Sequence, residues 1–484
     1  MAEIPQFDLV VIGGGPAGYV AAIRGGQLGL KTVLVETENH FGGTCLHWGC
    51  IPTKALLFNA EVFTYFKHAR EYGISCKRFD FDWEAVQNRK DKLVKKLAQG
   101  VEFLLKKNKV EIVQGYGRLA GGGRVMISGP RAKHTEIAAR NIVLATGSEA
   151  RKLEGLDPDG KIILTNKEAL GLKKLPESMV VIGAGAWGVE FASIFHRLGT
   201  RVTLIEALPR VLPGEDEEIS GELEKSLRRQ GIAVYTQAKL QSAAKPSVAA
   251  GTSGGGRAAK TGKIVRVVFA ESSGEVHRLD AEAVLVAVGR VPNTQDVGLA
   301  NTRIVADSGF IKVDEAMLTA EPGVYAVGDI VAGSPLSAHV GHAEALVAVD
   351  HAAGKSPAPV NYRQAPSCVF CEPEVASVGL SEKQAREAGY KIRTGKFPFS
   401  ANSRAAILGA REGFVKIVSE EQYGEILGVH MIGPRVTEMI AEAVVAMRLE
   451  ATAEDLAHAM HPHPTLTEAL LEAAHAASDR AIHV

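Results

Sequence analysis

Cysteine is scarce in this chain: 484 residues carry five, Cys45, Cys50, Cys76, Cys368 and Cys371. The number is odd and the spacing uneven, which excludes a secreted disulfide framework. A reducing cytoplasm is the expected setting, where a disulfide is usually catalytic. Charge of one sign is also missing. Lys plus Arg and Asp plus Glu number 55 each, and no block of like charge stands out. That balance offers nothing to nucleic acid or to an anionic membrane surface. No run of about 18 apolar residues occurs, so no segment is expected to cross a membrane. The start, Met1 to Gln6, lacks a basic region followed by an apolar stretch, so no signal or transit peptide is expected.

Glycine is plentiful, at 51 residues. Several glycines fall where a phosphate could be cradled. Residues 8–12 read as a buried strand, followed by Gly13-Gly-Gly15-Pro-Ala-Gly18, a helical stretch to Leu28, and a second strand from Thr32 that ends at Glu36. In such a unit the first glycine makes the tight turn and the second lets a pyrophosphate approach. The third lets the helix pack on the sheet, and the acid accepts from ribose hydroxyls. The helix N-terminus meets the phosphate charge.

The unit then returns. A strand at Met179–Ile182 precedes Gly183-Ala-Gly185-Ala-Trp-Gly188, a helix, and Val202–Ile205 ending at Glu206, at a constant offset of 170 residues. Each copy is followed by hairpin-like strands and then an apolar strand ending in glycine, Ile142 to Gly147 and Val284 to Gly289. A length of this order suggests about three domains. The expected fold class is α/β, with two Rossmann-like dinucleotide-binding domains and a C-terminal α+β dimerisation domain. Glu206 suits a free 2′-hydroxyl and repels a 2′-phosphate, which favours NAD over NADP. Arg210 stands close by and reads either as a phosphate binder or, with more weight, as surface charge. Residues 242–263, rich in Gly, Ala, Ser and Lys, are expected to form a mobile hairpin loop.

Residues 41–54 read Phe-Gly-Gly-Thr-Cys-Leu-His-Trp-Gly-Cys-Ile-Pro-Thr-Lys. On an ideal helix, residues five apart have Cα atoms about 8.7 Å apart, from the helix radius and rise. A disulfide needs roughly 4.4–6.8 Å. A Cys45–Cys50 bridge therefore requires a distorted backbone, which Gly49 and Pro52 make possible. The segment reads as a redox disulfide held against a flavin, or as two buried free thiols. Only the first glycine unit carries this pair, so that unit is expected to hold the flavin and the second the nicotinamide.

Beyond about residue 357 the pattern changes to alternating strands and helices with no third glycine unit. Near the end stands Met460-His-Pro-His-Pro-Thr-Leu-Thr-Glu468. His463 and Glu468 read as an acid–base pair for a thiol. Thr465 and Glu468 also have the spacing of a capping box, so Glu468 reads equally as a helix cap. His461 and His463 lack further ligands at metal spacing. Cys368 and Cys371 lie in a strand and turn, where residues three apart face opposite sides, so neither a second redox pair nor half a zinc site is expected.

Together these residues resemble the flavoprotein disulfide reductases, and among them those that oxidise dihydrolipoyl groups. The likeness covers nearly the whole chain. It rests on the first glycine unit, Gly-Thr-Cys-x4-Cys-Ile-Pro-Thr-Lys, Ala-Thr-Gly-Ser, the second glycine unit with its acid, Val-Gly-Arg-x-Pro-Asn, Gly-Asp329 and His-x-His-Pro-Thr-Leu-Thr-Glu. The resemblance implies an FAD domain at 1–150, an NAD domain at 151–280, a central domain at 281–356 and an interface domain at 357–484 of a homodimer. It implies that Cys45 is the thiol that exchanges with the lipoyl sulfur and Cys50 the thiol against the flavin. Lys54 would sit near the flavin, paired with Glu190; without the resemblance these are two ordinary helix charges. His463 and Glu468 would serve the disulfide of the other subunit. FAD would be held by Gly13, Gly15, Gly18, Glu36, Gly43, Thr44, Cys45, Lys54, Gly117, Thr146, Gly147, Asp329 and Ala338. NAD would be held by Gly183, Gly185, Gly188, Glu206, Leu240 and Gly289. No metal is expected.

The implied reaction is oxidation of protein-bound dihydrolipoyl groups by NAD⁺. The implied partners are the lipoyl domains and acyltransferase core, or the lipoyl carrier protein, of a 2-oxo acid dehydrogenase or glycine cleavage complex. Another NAD(P)H-dependent flavoprotein disulfide reductase and a chiefly structural docking subunit are the alternatives. Glu206 weighs against a glutathione reductase. The end Asp-Arg-Ala-Ile-His-Val has no cysteine pair of the kind expected in mercuric or high-molecular-weight thioredoxin reductases. Three departures from the pattern stand out: His47-Trp48 in place of Asn-Val, Cys371 in place of Thr, and the long 242–263 segment.

Overall fold

A computed structural model describes residues 4–76, 79–130, 135–244 and 264–483. The chain forms two compact units, each built from three stretches of sequence. One comprises residues 1–55, 84–151 and 290–362; the other comprises 56–83, 152–289 and 363–484.

The first unit is organised on a seven-stranded sheet. The strand Gln6–Ile12 lies between Thr32–Glu36 and Glu136–Leu144, both parallel to it. Glu111–Gln114 and Val324–Ala326 extend the parallel set. Arg124–Ser128 and Tyr116–Gly121 add an antiparallel hairpin. Leu9, Val10, Val11, Leu34 and Val143 are fully buried, as expected of parallel strands covered on both faces. The helices Pro16–Gln27 and Ala338–Ala352 pack against each other, and Arg24 in the first pairs with Asp350 in the second at 2.7 Å.

The second unit contains the repeat. Its five-stranded parallel sheet places Ser178–Ile182 between Arg201–Ile205 and Ala283–Val286. A three-stranded antiparallel sheet follows, Ala238–Ala244, Val265–Glu271 and Val276–Ala281. Ser242, Ala243 and Ala244 thus belong to a paired strand and not to a loop, because the ladder with Val265–Glu271 runs through them. The rest of the expected 242–263 loop lies outside the described residues. The same unit holds a five-stranded antiparallel sheet in the order Ser367–Val369, Glu374–Gly379, Ile426–Gly433, Phe414–Glu420, Ile392–Pro398. The helices Val436–Arg448 and Glu468–Ala476 pack on it through Met439, Ile440, Leu470 and Ala473. No described helix is long and apolar enough to cross a membrane.

Candidate active site

The two glycine units have the same local geometry. A Cβ on Gly18 would lie 1.8 Å from the Gly13 carbonyl oxygen, and one on Gly188 would lie 1.8 Å from that of Gly183. The third glycine is therefore obligatory in both. At the second glycine the situation is reversed. A Cβ on Gly15 would meet only Gly43 Cα, at 3.9 Å, and one on Gly185 would meet nothing within 4 Å. Both second glycines thus border open space at the head of a twelve-residue helix. That is the shape a pyrophosphate requires, and the helix N-terminus supplies the complementary dipole.

The strand-end acids match as well. Glu36 Oε2 accepts from Gly14 N–H and Glu206 Oε2 from Ala184 N–H, each at 2.6 Å. Their Oε1 atoms accept from Glu38 N–H at 2.9 Å and Leu208 N–H at 2.8 Å. Each carboxylate is thus oriented by its own glycine turn, and the lone pairs that remain can accept from a ribose. Arg210 forms an ion pair with Glu217 at 2.9 Å, so its charge already has a partner.

Cys45 lies in the helix Gly43–Trp48 and Cys50 opens the helix Cys50–Lys67. The break falls at Gly49, with φ −139° and ψ −117°. A Cβ there would approach Thr44 O to 3.0 Å and Cys45 Cα to 3.3 Å. A side chain at this position would crowd the turn by which the second helix folds back, and the break is the distortion that a Cys45–Cys50 bridge requires. The two cysteine side chains meet across this break and are hydrogen-bonded to each other. The bond to Cys50, burial and the Cys50 charge push the Cys45 thiol far up, while Lys54 pulls it the other way. Lys54 is therefore close enough to act on the pair.

Two further groups flank the cysteines. Burial and then the Cys45 charge push the Tyr19 hydroxyl up. Burial pulls the Arg290 guanidinium down, against Asp329, Cys50 and Glu149. Arg290 Nε donates to Ser148 Oγ at 2.6 Å, and Ser148 Oγ donates to Asp329. Sequence reasoning assigned neither Tyr19 nor Arg290 a role. Nothing marks Tyr19 in the sequence, whereas Arg290 stands in the Val-Gly-Arg-x-Pro-Asn run.

The remaining residues expected at the flavin surround the same glycine turn or its sheet. Gly43 packs on Gly15, Thr44 follows it, and Gly117 packs on Ile12 and Val35. Thr146 Oγ1 donates to Asn293 O at 2.7 Å, and Gly147 follows at φ +70°. Ala338 opens the helix Ala338–Ala352. In the other unit Leu240 packs beside the buried Phe269 cluster, and Gly289 takes φ +111°. Glu190 is buried and accepts from Phe370 N–H at 2.9 Å.

His463 Nδ1 is 2.8 Å from Glu468 Oε1, and its side chain is 72% exposed. Glu468 Oε2 accepts from Thr465 N–H at 2.7 Å. Thr465 Oγ1 turns instead to Pro462 O, and the helix Glu468–Ala476 starts after Thr467 without a side-chain cap. Glu468 therefore makes half of a capping box, and its other oxygen holds the imidazole. Burial alone would raise the Glu468 carboxyl, but the Thr465 amide and His463 keep it below its usual range. His461 turns away to Glu442, at 2.7 Å. Cys371 is buried and bonds to Pro373 O, while Cys368 faces Thr437 O, so the C-x-x-C thiols have separate partners.

A family model described as pyridine nucleotide-disulphide oxidoreductase matches residues 7–345, and the dimerisation domain of the same family matches 365–474. The chain is 44% identical over 486 residues to a dihydrolipoyl dehydrogenase of Bacillus subtilis, covering 99% of both chains. It is 41% identical to a dihydrolipoyl dehydrogenase of Zymomonas mobilis, again over 99% of each. Among solved structures, LpdA from Mycobacterium tuberculosis superposes with a TM-score of 0.87 at 26% identity, covering 97% of this chain and 99% of that one.

Proposed function

The chain belongs to the pyridine nucleotide-disulphide oxidoreductases, and from that premise we propose how its own residues carry out the oxidation of dihydrolipoyl groups. Its reaction is that of a dihydrolipoyl dehydrogenase, with FAD and NAD as cofactors. Residues 1–150 and 281–356 hold FAD, residues 151–280 hold NAD, and residues 357–484 form the face that joins two subunits. The enzyme works in the cytoplasm as a homodimer. It draws its substrate from lipoyl groups carried by a 2-oxo acid dehydrogenase or glycine cleavage complex.

In the oxidised state Cys45 and Cys50 are joined. His463 of one subunit takes the proton from a substrate thiol. The thiolate attacks Cys45 Sγ, breaks the Cys45–Cys50 bond and releases Cys50 as a thiolate. The second substrate thiol attacks the substrate sulfur of the mixed disulfide, closes the lipoyl ring and frees Cys45, which takes up the proton that this second thiol gives up. Two electrons have then moved from substrate to the protein pair. With Cys45 holding the proton of the coupled pair, the negative charge rests on Cys50. When bound, FAD supplies the two-electron path from that thiolate to NAD⁺. Lys54 and Arg290, the latter tied to Asp329, provide positive charge around this site. Glu468 fixes the His463 tautomer and stabilises the imidazolium.

The observation that carries this reading is the hydrogen-bonded Cys45–Cys50 pair meeting across the helix break at Gly49. The test compares turnover with dihydrolipoamide and NAD⁺ against glutathione disulfide and NADPH. A preference for the second pair overturns the reading. Full FAD occupancy with no turnover of either would favour a docking role.

A further inference from the structure

Gly42 and Gly43 link the phosphate turn to the cysteine-bearing helix, and both have positive φ, +110° and +54°. Glycine is needed there: a Cβ on Gly42 would lie 2.3 Å from Leu46 Cδ2, and one on Gly43 would lie 2.7 Å from Gly15 Cα. The same freedom makes the pair a natural hinge. The backbone bond across it, Leu46 N–H to Gly42 O, is long at 3.3 Å. His47 spans it with a shorter one, its Nε2 lying 2.8 Å from Phe41 O. A carbonyl only accepts, so His47 Nε2 carries the proton and donates.

The far end of this bond is anchored. Phe41 is buried, and Gly42 N–H donates to Gly14 O at 2.8 Å. The His47 ring is also covered. His40 stacks on it at 3.7 Å between centroids and 26° between planes, and Trp48 meets His40 edge-on at 5.7 Å. Exclusion of water strengthens a hydrogen bond of this kind. Burial and the neighbouring His40 hold the His47 imidazole below its usual range, against Glu38 and Glu36. At neutral pH the stacked His47 ring is therefore uncharged.

We propose that His47, braced by His40, is a positioning residue that fastens the Cys45 helix to the Gly13–Gly15 phosphate turn. Its side-chain bond bridges the Gly42–Gly43 hinge and fixes the thiol pair relative to the cofactor cradle. This rests on the redox reading of Cys45 and Cys50 and on assignment of the first glycine unit to FAD.

The test uses holoenzyme and three variants. H47F keeps a ring but loses the donor, H47Q keeps a donor, and H40A uncovers the ring. The readouts are the rate of FAD release and the rate of iodoacetamide alkylation of the two-electron-reduced thiols. H47F is expected to speed FAD release and alter alkylation about five- to tenfold, the loss of roughly one hydrogen bond. H47Q is expected within twofold of wild type, with H40A in between. The proposal is overturned if H47F stays within twofold of wild type in both readouts, or if H47Q is as impaired as H47F. If H47F does not fold, an H40A enzyme identical to wild type overturns it. Bleaching of the wild-type flavin by dihydrolipoamide is recorded first. If it is absent, the redox reading itself fails; if it is present and H47F is unaltered, only the role of His47 falls.

Discussion

His463 and Glu468 form a charge-oriented pair, with Nδ1 and Oε1 2.8 Å apart. The carboxylate can only accept, so Nδ1 carries the proton and the lone pair is on Nε2. An imidazole held this way can take a proton from a thiol. H463Q should lower kcat by about 10²- to 10⁴-fold, the usual worth of a general base. E468Q should cost less, on the order of tenfold, as one hydrogen bond to a charged group is lost. Both variants should bind FAD normally. Steady-state kinetics with dihydrolipoamide checks this, and an H463Q enzyme with wild-type kcat would sink the assignment.

The thiol roles predict a spectroscopic difference. C50S should lack the long-wavelength charge-transfer band of the two-electron-reduced enzyme. A titration with dithionite under argon reads it directly. Persistence of the band would reverse the roles of Cys45 and Cys50.

Glu206 orients its carboxylate through two backbone amides, at 2.6 and 2.8 Å. Bringing a 2′-phosphate to it costs charge repulsion that a 2′-hydroxyl avoids. Relief of about 2 kcal/mol of that cost corresponds to roughly thirtyfold. E206Q should therefore narrow the ratio of kcat/KM for NAD⁺ over NADP⁺ by roughly thirtyfold. An unchanged ratio would place the selectivity elsewhere.

A stability prediction comes from a buried cation. Lys416 Nζ, in a side chain only 3% exposed, lies 3.3 Å from Asp216, 2.9 Å from Glu218 and 2.8 Å from Glu382. Burial opposes charge on Lys416, but the Glu382 and Glu218 bonds hold its pKa above the usual range. Burial would raise Asp216 and Glu218, yet His430 and Lys416 hold the first down, and Lys416 and Lys396 the second. The bond to Lys416 is the main force holding Glu382 down. His430 is held down by burial. Groups with depressed pKa contribute stability above their unfolded values, about 6.5 for His and about 4 for the carboxyls, and lose it as pH falls through the folded values. The Lys416 contribution is present below about pH 10.4 and is lost as pH rises through its raised pKa. Thermal melts should therefore be flat with respect to this cluster between neutrality and about pH 10, and decline in acid. K416M should cost about 3–5 kcal/mol in urea unfolding, because the buried Asp216 carboxylate loses its cation. A variant as stable as wild type would show that the cluster is solvated.

Much of this was legible in the sequence because backbone rules act locally. The glycine turns, the strand-end acids and the helices after them are fixed by steric limits within about 35 residues, so Gly18 and Gly188 declared themselves. Spacing alone said that a Cys45–Cys50 bridge would need a distorted backbone, and the helix break at Gly49 supplies one. Other features were not legible. Tyr19 and Arg290 reach the cysteines through folding, with no periodicity to mark them. Ser242 to Ala244 looked like loop by composition, yet ladder pairing with Val265–Glu271 makes them strand. The two uses of Glu468, cap and imidazole partner, could not be separated by counting residues.

The sequence by itself determined the two nucleotide cradles and the presence of a paired-thiol segment, because each depends on short-range sterics that only certain residues satisfy. Tertiary structure decided which side chains surround the thiols and how His47 crosses the glycine hinge. It also decided which oxygen of Glu468 faces His463. Those outcomes depend on distances between residues that no spacing rule connects, and on burial that exists only once the sheets have closed over their cores.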